Sequence, residues 1–213
     1  ATVQINSAAG IEEEAVGDAG ADITATTIDL NAVAGIGEDG QLEIAGTLVT
    51  LDSSAGLENI QVENILGTPV TLSSATVAVG AGNIVFGQTG GGTLTVTNAS
   101  TVNGTIGIAN AGADLAAMVV DASVGNQAVT LTTTGAGDVL VEGVLNWNAG
   151  TLSGTGVLGV TNGASFSVSG SFDTVQLQWE APTRRPPRRV VLHLPESRGL
   201  ANLCEGVDVV YRR

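Results

Sequence analysis

Ahead of Arg184, the only side chains that exchange a proton near neutral pH or hold a metal ion are carboxylates. Histidine, cysteine, lysine and arginine are all absent there. That excludes Ser-His and Cys-His nucleophile pairs, imidazole or thiolate metal sites and cationic oxyanion clamps from this body. Of the 21 acidic residues, 18 lie within it, and only Glu196, Glu205 and Asp208 lie beyond.

Two chemistries are open to carboxylates alone. The first is calcium binding. Glu12, Glu13, Glu14, Asp18 and Asp22 fall together in the stretch IEEEAVGDAGAD, and hard oxygen donors converging on a loop are what that ion takes. Their spacing does not match an EF-hand loop, and the ordinary reading is a solvated charged turn. Calcium is the one cofactor these residues could hold. The second chemistry is glycosidic cleavage by paired carboxylates. Asp114 with Asp121, or Asp138 with Glu142, could be brought together by stacking. β-Helix enzymes that cleave sugars surround their acids with basic and aromatic groups, whereas this body offers only Trp147, Trp179, Phe86, Phe166 and Phe172. GAGD at 135–138 echoes the calcium-binding nonapeptide once, and that motif works by tandem repetition. No catalytic residue is assigned, and the chain is not expected to be an enzyme.

The elements that would position these groups are strands. From Val139 to Phe172 the chain reads VLVEGVLNWNAGTLSGTGVLGVTNGASFSVSGSF, with Gly143, Gly150, Gly154, Gly156, Gly159, Gly163 and Gly170 breaking it every few residues. Glycine takes positive-φ turns without steric cost, and the pieces left between are too short for helices. Within them Val139 and Val141, Leu158 and Val160, and Phe166 and Val168 place apolar side chains two apart. That spacing buries one face of a strand and leaves polar residues on the other. Strand candidates begin near Ile23, Leu42, Leu57, Val70, Ile84, Leu94, Ile106, Met118, Val129, Val139, Val157 and Phe166. Starts roughly ten to fifteen residues apart suit two or three short strands per coil, with roughly eight coils of about 20 residues.

Composition agrees. Aromatic content of 3% would leave a globular core short of large side chains, whereas a solenoid interior needs only stacked Val, Leu, Ile and Ala with glycine turns. A hydrophobic content of 43% also argues against a disordered chain.

Leu145 to Gly170, LNWNAGTLSGTGVLGVTNGASFSVSG, resembles a unit of very large bacterial surface proteins of the filamentous-haemagglutinin and autotransporter-passenger type. Ile23 to Leu72 resembles the strand, GIG turn, strand repeats of the same proteins. With the Gly/Thr/Val-rich stretch between, the resemblance covers nearly all of the chain ahead of Glu180. It implies a right-handed parallel β-helix, part of a long extracellular stalk or adhesive fibre at the bacterial outer surface. Its partners would be adjacent repeats of the same parent protein, and a host-surface or matrix carbohydrate or protein.

The expected fold is therefore all-β, a right-handed parallel β-helix (solenoid) over 1–179, with a β-sandwich as the alternative. The chain starts with no charged n-region, apolar h-region or cleavage site, and with no cap over its first coil; it is expected to be cut from a longer one. Residues 180–213 form an irregular tail holding all seven Arg (Arg184, Arg185, Arg188, Arg189, Arg198, Arg212, Arg213), four of the five Pro, and the lone His193, Cys204 and Tyr211. It is either a basic, proline-rich tail that contacts an acidic partner or out-of-frame translation, and the abrupt stop of the repeat favours the second. Neither His193 nor Cys204 carries weight as a ligand or nucleophile. The body, at −18, repels phosphate backbones and anionic membrane surfaces, so no nucleic-acid partner and no membrane insertion of this segment are expected.

Asn83, Asn98, Asn103, Asn110, Asn126, Asn148 and Asn162 fall at strand ends, where asparagine forms turns or, stacked, a ladder. Asn98-Ala-Ser and Asn103-Gly-Thr match the glycosylation sequon, which carries little meaning in the bacterial family that the chain resembles. Thr93, Thr95 and Thr97, and Thr130, Thr132 and Thr134, would make an ice- or surface-binding array only if coils aligned them on one flat face. Their ordinary reading is strand surface.

Overall fold

The computed structural model describes residues 1–13, 20–53, 58–122, 124, 127–134, 137–147, 152–153, 158–160 and 165–168. Fifteen strands form there, and every pairing between them is parallel. No helix occurs among the described residues. The chain is a parallel β-solenoid. A β-sandwich, which is built from antiparallel sheets, does not describe it.

The strands are β1 (Thr2–Ser7), β2 (Ile23–Ala32), β3 (Leu42–Ser53), β4 (Ile60–Asn64), β5 (Val70–Val77), β6 (Ile84–Gln88), β7 (Leu94–Val96) and β8 (Ala99–Thr101). They continue as β9 (Ile106–Ala111), β10 (Leu115–Asp121), β11 (Val129–Thr134), β12 (Val139–Trp147), β13 (Leu152–Ser153), β14 (Leu158–Val160) and β15 (Ser165–Val168). Most starts coincide with the sequence expectation. Leu57 and Val157 lie outside the described residues, and β10 begins at Leu115 rather than Met118 because Met118 sits at a register shift and faces outward.

The period-two pattern becomes columns. On one face Ile5, Leu30, Leu51, Ala75, Ala99, Val120, Leu145 and Phe166 stand in register, one on each successive turn. Beside them run Ile28, Val49, Leu72, Val96, Ala117 and Val141. On the other face Ile11, Ile36, Ile60, Ile84, Ile106 and Val129 form one ladder, and Leu42, Val62, Phe86, Ile108 and Leu131 a second. The spacing of these rungs makes the coil somewhat longer than expected, and five complete turns carry the chain from Ile11 to Val129.

These columns are the core. From Ile11 to Leu145, every residue named in them is buried. Burying each Val, Leu or Ile side chain contributes about 1.5–3 kcal/mol, so branched aliphatic residues carry the core, with Phe86 as the one aromatic in its described part. Strand β3 runs through a corner between Ile44 and Leu48, so its first half pairs with β4 on one face and its second half with β5 on the other.

Between faces the turns pack backbone on backbone. A Cβ at Gly104 would land on the carbonyl oxygen of Gly82 one turn below, and a Cβ at Gly82 on that of Glu58. Glycine is required there by this close approach. Gly37 adds a conformational reason, since its φ is +69° where the 37–41 loop leaves the Ile36 rung.

Candidate functional site

The acidic stretch at the first turn is where carboxylates converge. Glu13 and Asp22 are joined by Glu43 from the next turn, and one oxygen of each lies within 4.8 Å of the other two. Backbone pairing sets this meeting: Asp22 N–H donates to the Glu43 carbonyl at 2.8 Å, and Glu43 N–H donates to Asp22 Oδ2 at 3.2 Å. Glu13 Oε1 is shielded from solvent without a hydrogen-bond partner. Glu12 faces elsewhere, its Oε2 accepting from Asp39 N–H at 3.0 Å to brace the 37–41 loop. Glu14 and Asp18 lie outside the described residues. Of the five residues singled out from sequence, two therefore meet here.

Glu43 is the member that the sequence reading passed over. It follows Asp22 by one full coil, its backbone pairing with that residue one turn on, so the repeat length was the signal that could have found it. Three oxygens at this spacing could hold a hard cation such as calcium, which takes six to eight oxygen ligands.

The pairs considered for glycosidic chemistry do not come together. Asp114 precedes β10 and Asp121 ends it, and the extended chain between separates them by roughly 20 Å. Asp138 and Glu142 lie along one extended run, roughly 13 Å apart. Paired catalytic carboxylates stand about 5–9.5 Å apart. Stacking instead sets Asp138 over Asp114, with Asp138 N–H donating to Asp114 Oδ1 at 2.9 Å.

A second acidic neighbourhood lies on the outer side of β2 and β3. Asp29 accepts from Gln4 Nε2 at 2.8 Å and from Asn31 Nδ2 at 3.0 Å, and Asn31 Nδ2 also donates to Asn6 Oδ1 at 3.1 Å. Asn31 pairs in register with Asp52. Partial burial, and then the charge of Asp29, push the Asp52 carboxyl above its ordinary value.

Asparagines do stack. Asn59 donates from its backbone N–H and its Nδ2 to the Glu38 carboxylate. Asn83 N–H and Nδ2 donate to Asn59 Oδ1 at 2.8 and 3.0 Å, and Thr105 N–H and Oγ1 donate to Asn83 Oδ1, each at 2.8 Å. This chain of side chains runs along the turn just before β4, β6 and β9. Asn110 belongs to a buried column with Gln88 and Thr133, while Asn126, Asn148 and Asn162 lie outside the described residues.

The two threonine triplets do not share a face. Thr95 lies on β7 beside Thr71, whereas Thr130, Thr132 and Thr134 lie on β11 beside Gly107, Ala109 and Ala111.

The described residues contain no side-chain cation. No helix among them is long and apolar enough to cross a membrane. The fold defines the chain as a parallel β-solenoid protein. No family model, no curated protein and no solved structure matches it.

Proposed function

We propose that this chain is a non-catalytic structural segment, a stalk with an adhesive role, of a large secreted or cell-surface bacterial repeat protein of the filamentous-haemagglutinin or autotransporter-passenger type. The observation that supports this reading is the continuity of the columns, which the register shifts at Val49/Thr50 and Ala117/Val119 do not interrupt. Each turn presents to the next the same apolar positions that it received from the one before, from Ile5 to Phe166. A solenoid of this kind is quasi-one-dimensional: each repeat contacts only its neighbours, and further repeats extend the rod without altering its cross-section. Adjacent repeats of a parent protein are the first partners on this reading. A carbohydrate or protein of a host surface or matrix is the second, met by the polar outer side of the strands. A body without histidine, cysteine, lysine or arginine suits a surface that holds or spaces rather than one that cleaves.

The test is to present the purified full chain to arrays of glycans and matrix proteins and, in parallel, to incubate it with the same glycans and measure released reducing ends. Saturable binding with no release supports the stalk reading. Release of sugars that is lost on substitution of a carboxylate would replace it with a carbohydrate-active enzyme.

A further inference from the structure

Inside the corner that follows the second face, Asn64, Gln88, Asn110 and Thr133 occupy one column on successive turns. All are buried, with Gln88 and Asn110 each only 1% exposed. Each donor atom in the column gives a hydrogen to a carbonyl oxygen of the corner backbone. Asn64 Nδ2 donates to Gly46 O, Gln88 Nε2 to Leu66 O, Asn110 Nδ2 to Ala113 O and Asp114 O, and Thr133 Oγ1 to Gly137 O.

The acceptors are not treated alike. Asn64 Oδ1 accepts from the N–H groups of Gly46 and Leu66 at 3.3 and 3.1 Å. Gln88 Oε1 and Asn110 Oδ1 are shielded from solvent and accept nothing from the protein. Turning either amide over would set its oxygen against backbone carbonyls, so the orientation is fixed by the donors. Within the column the Thr133 hydroxyl donates to Gly137 O and Asn64 Nδ2 to Gly46 O, and no donor of the column reaches either shielded oxygen.

Two shielded acceptors on adjacent turns, neither reached by a protein donor, are matched by one small ligand that carries two donors. Water does this, and buried waters are characteristically found where internal polar groups lack protein partners. Adjacent in-register turns stand about 4.8 Å apart. Two acceptors, each about 2.8 Å from one water oxygen and separated by its bond angle, stand about 4.5 Å apart. A divalent cation would be poorly served by two neutral oxygens, since it takes six or more ligands, several of them charged. We propose that the corner is a binding site for a single internal water that donates one hydrogen to Gln88 Oε1 and the other to Asn110 Oδ1.

A high-resolution crystal structure of the full chain, with a second crystal soaked in rubidium or thallium salt, tests this directly. The expected result is one well-ordered water within hydrogen-bond distance of both oxygens and no anomalous peak at the site. Oxygen-17 relaxation dispersion in solution should count one fewer long-lived water in Gln88→Met, which keeps the side-chain length and removes the acceptor. A dry corner in which the two amides find protein donors, or an anomalous peak marking a cation, overturns the proposal. If Gln88→Met does not fold, the wild-type density decides by itself.

Discussion

Asn64 and Gly46, one turn apart, exchange two hydrogen bonds: Asn64 Nδ2 donates to the Gly46 carbonyl at 2.7 Å, and Gly46 N–H donates to Asn64 Oδ1 at 3.3 Å. The side chain thereby supplies both partners to the backbone of β3 where its pairing to the following turn passes from β4 to β5. A leucine there would bury both Gly46 groups and the Leu66 N–H unpaired. Leaving buried polar groups unsatisfied costs about 1–3 kcal/mol each, partly relieved by relaxation. Asn64→Leu is expected to lower stability by about 2–4 kcal/mol, read as a lower urea midpoint at unchanged slope. A loss below about 0.5 kcal/mol would show that this corner of β3 holds without the side chain.

The glycines of the turns separate into two kinds, and substitution should tell them apart. A Cβ at Gly104 overlaps the carbonyl of Gly82, and backbone cannot step aside as a flexible side chain can. Gly104→Ala is expected to cost about 2–4 kcal/mol. At Gly87, within β6, a Cβ meets nothing within 4 Å. Gly87→Ala is expected to be neutral or stabilising by up to about 1 kcal/mol, because alanine loses less backbone freedom on folding. Thermal melts of the two variants side by side check the contrast, and equal losses would refute it.

Phe86 is the one aromatic side chain in the described core, 1% exposed between Val62 and Ile108 of the adjacent turns. Phe86→Ala is expected to cost about 3–5 kcal/mol, whereas Phe86→Leu, which keeps most of the volume, should cost less than about 1.5 kcal/mol. Because turns contact only their neighbours, hydrogen exchange in the alanine variant should accelerate most in β4, β6 and β9 and least in β1. Uniform acceleration along the chain would mean that the solenoid unfolds as one unit.

Asp52 gives a pH dependence whose sign is the reverse of the usual carboxylate. Its carboxyl is raised above its ordinary value near 3.8 by burial and by Asp29, so between the unfolded and folded values the native state binds the more protons. Unfolding free energy from this group therefore falls as pH rises through that window, and the penalty is complete above the folded value. Asp52→Asn is expected to melt higher than the wild type at pH 7, and the difference should close as pH falls toward 4. A difference equal at both pH values would assign the effect to something other than ionisation.

Much of the fold was legible because its core repeats a local signal. Apolar residues at spacing two, as in Ile84 and Phe86 or Val129 and Leu131, mark strands wherever they pair, and the dense glycines leave no room for helices. The site was less legible. Glu13 and Asp22 are near in sequence, but Glu43 joins them only through the stacking of one coil on another. Asp114 met Asp138 rather than Asp121 for the same reason.

The sequence by itself determined that this chain forms short strands with one apolar side, that its turns are glycine-built and that its body carries carboxylates without cations. Those properties reside in single residues and their spacing along the chain. Only the tertiary structure decided which turn lies over which and how long each coil is. It also decided which polar side chains, such as Asn64, Gln88 and Asn110, are turned inward to serve the corner backbone. The physical reason is that register is fixed by hydrogen bonds between residues a full coil apart, and a shift of one residue would exchange the buried face for the exposed one.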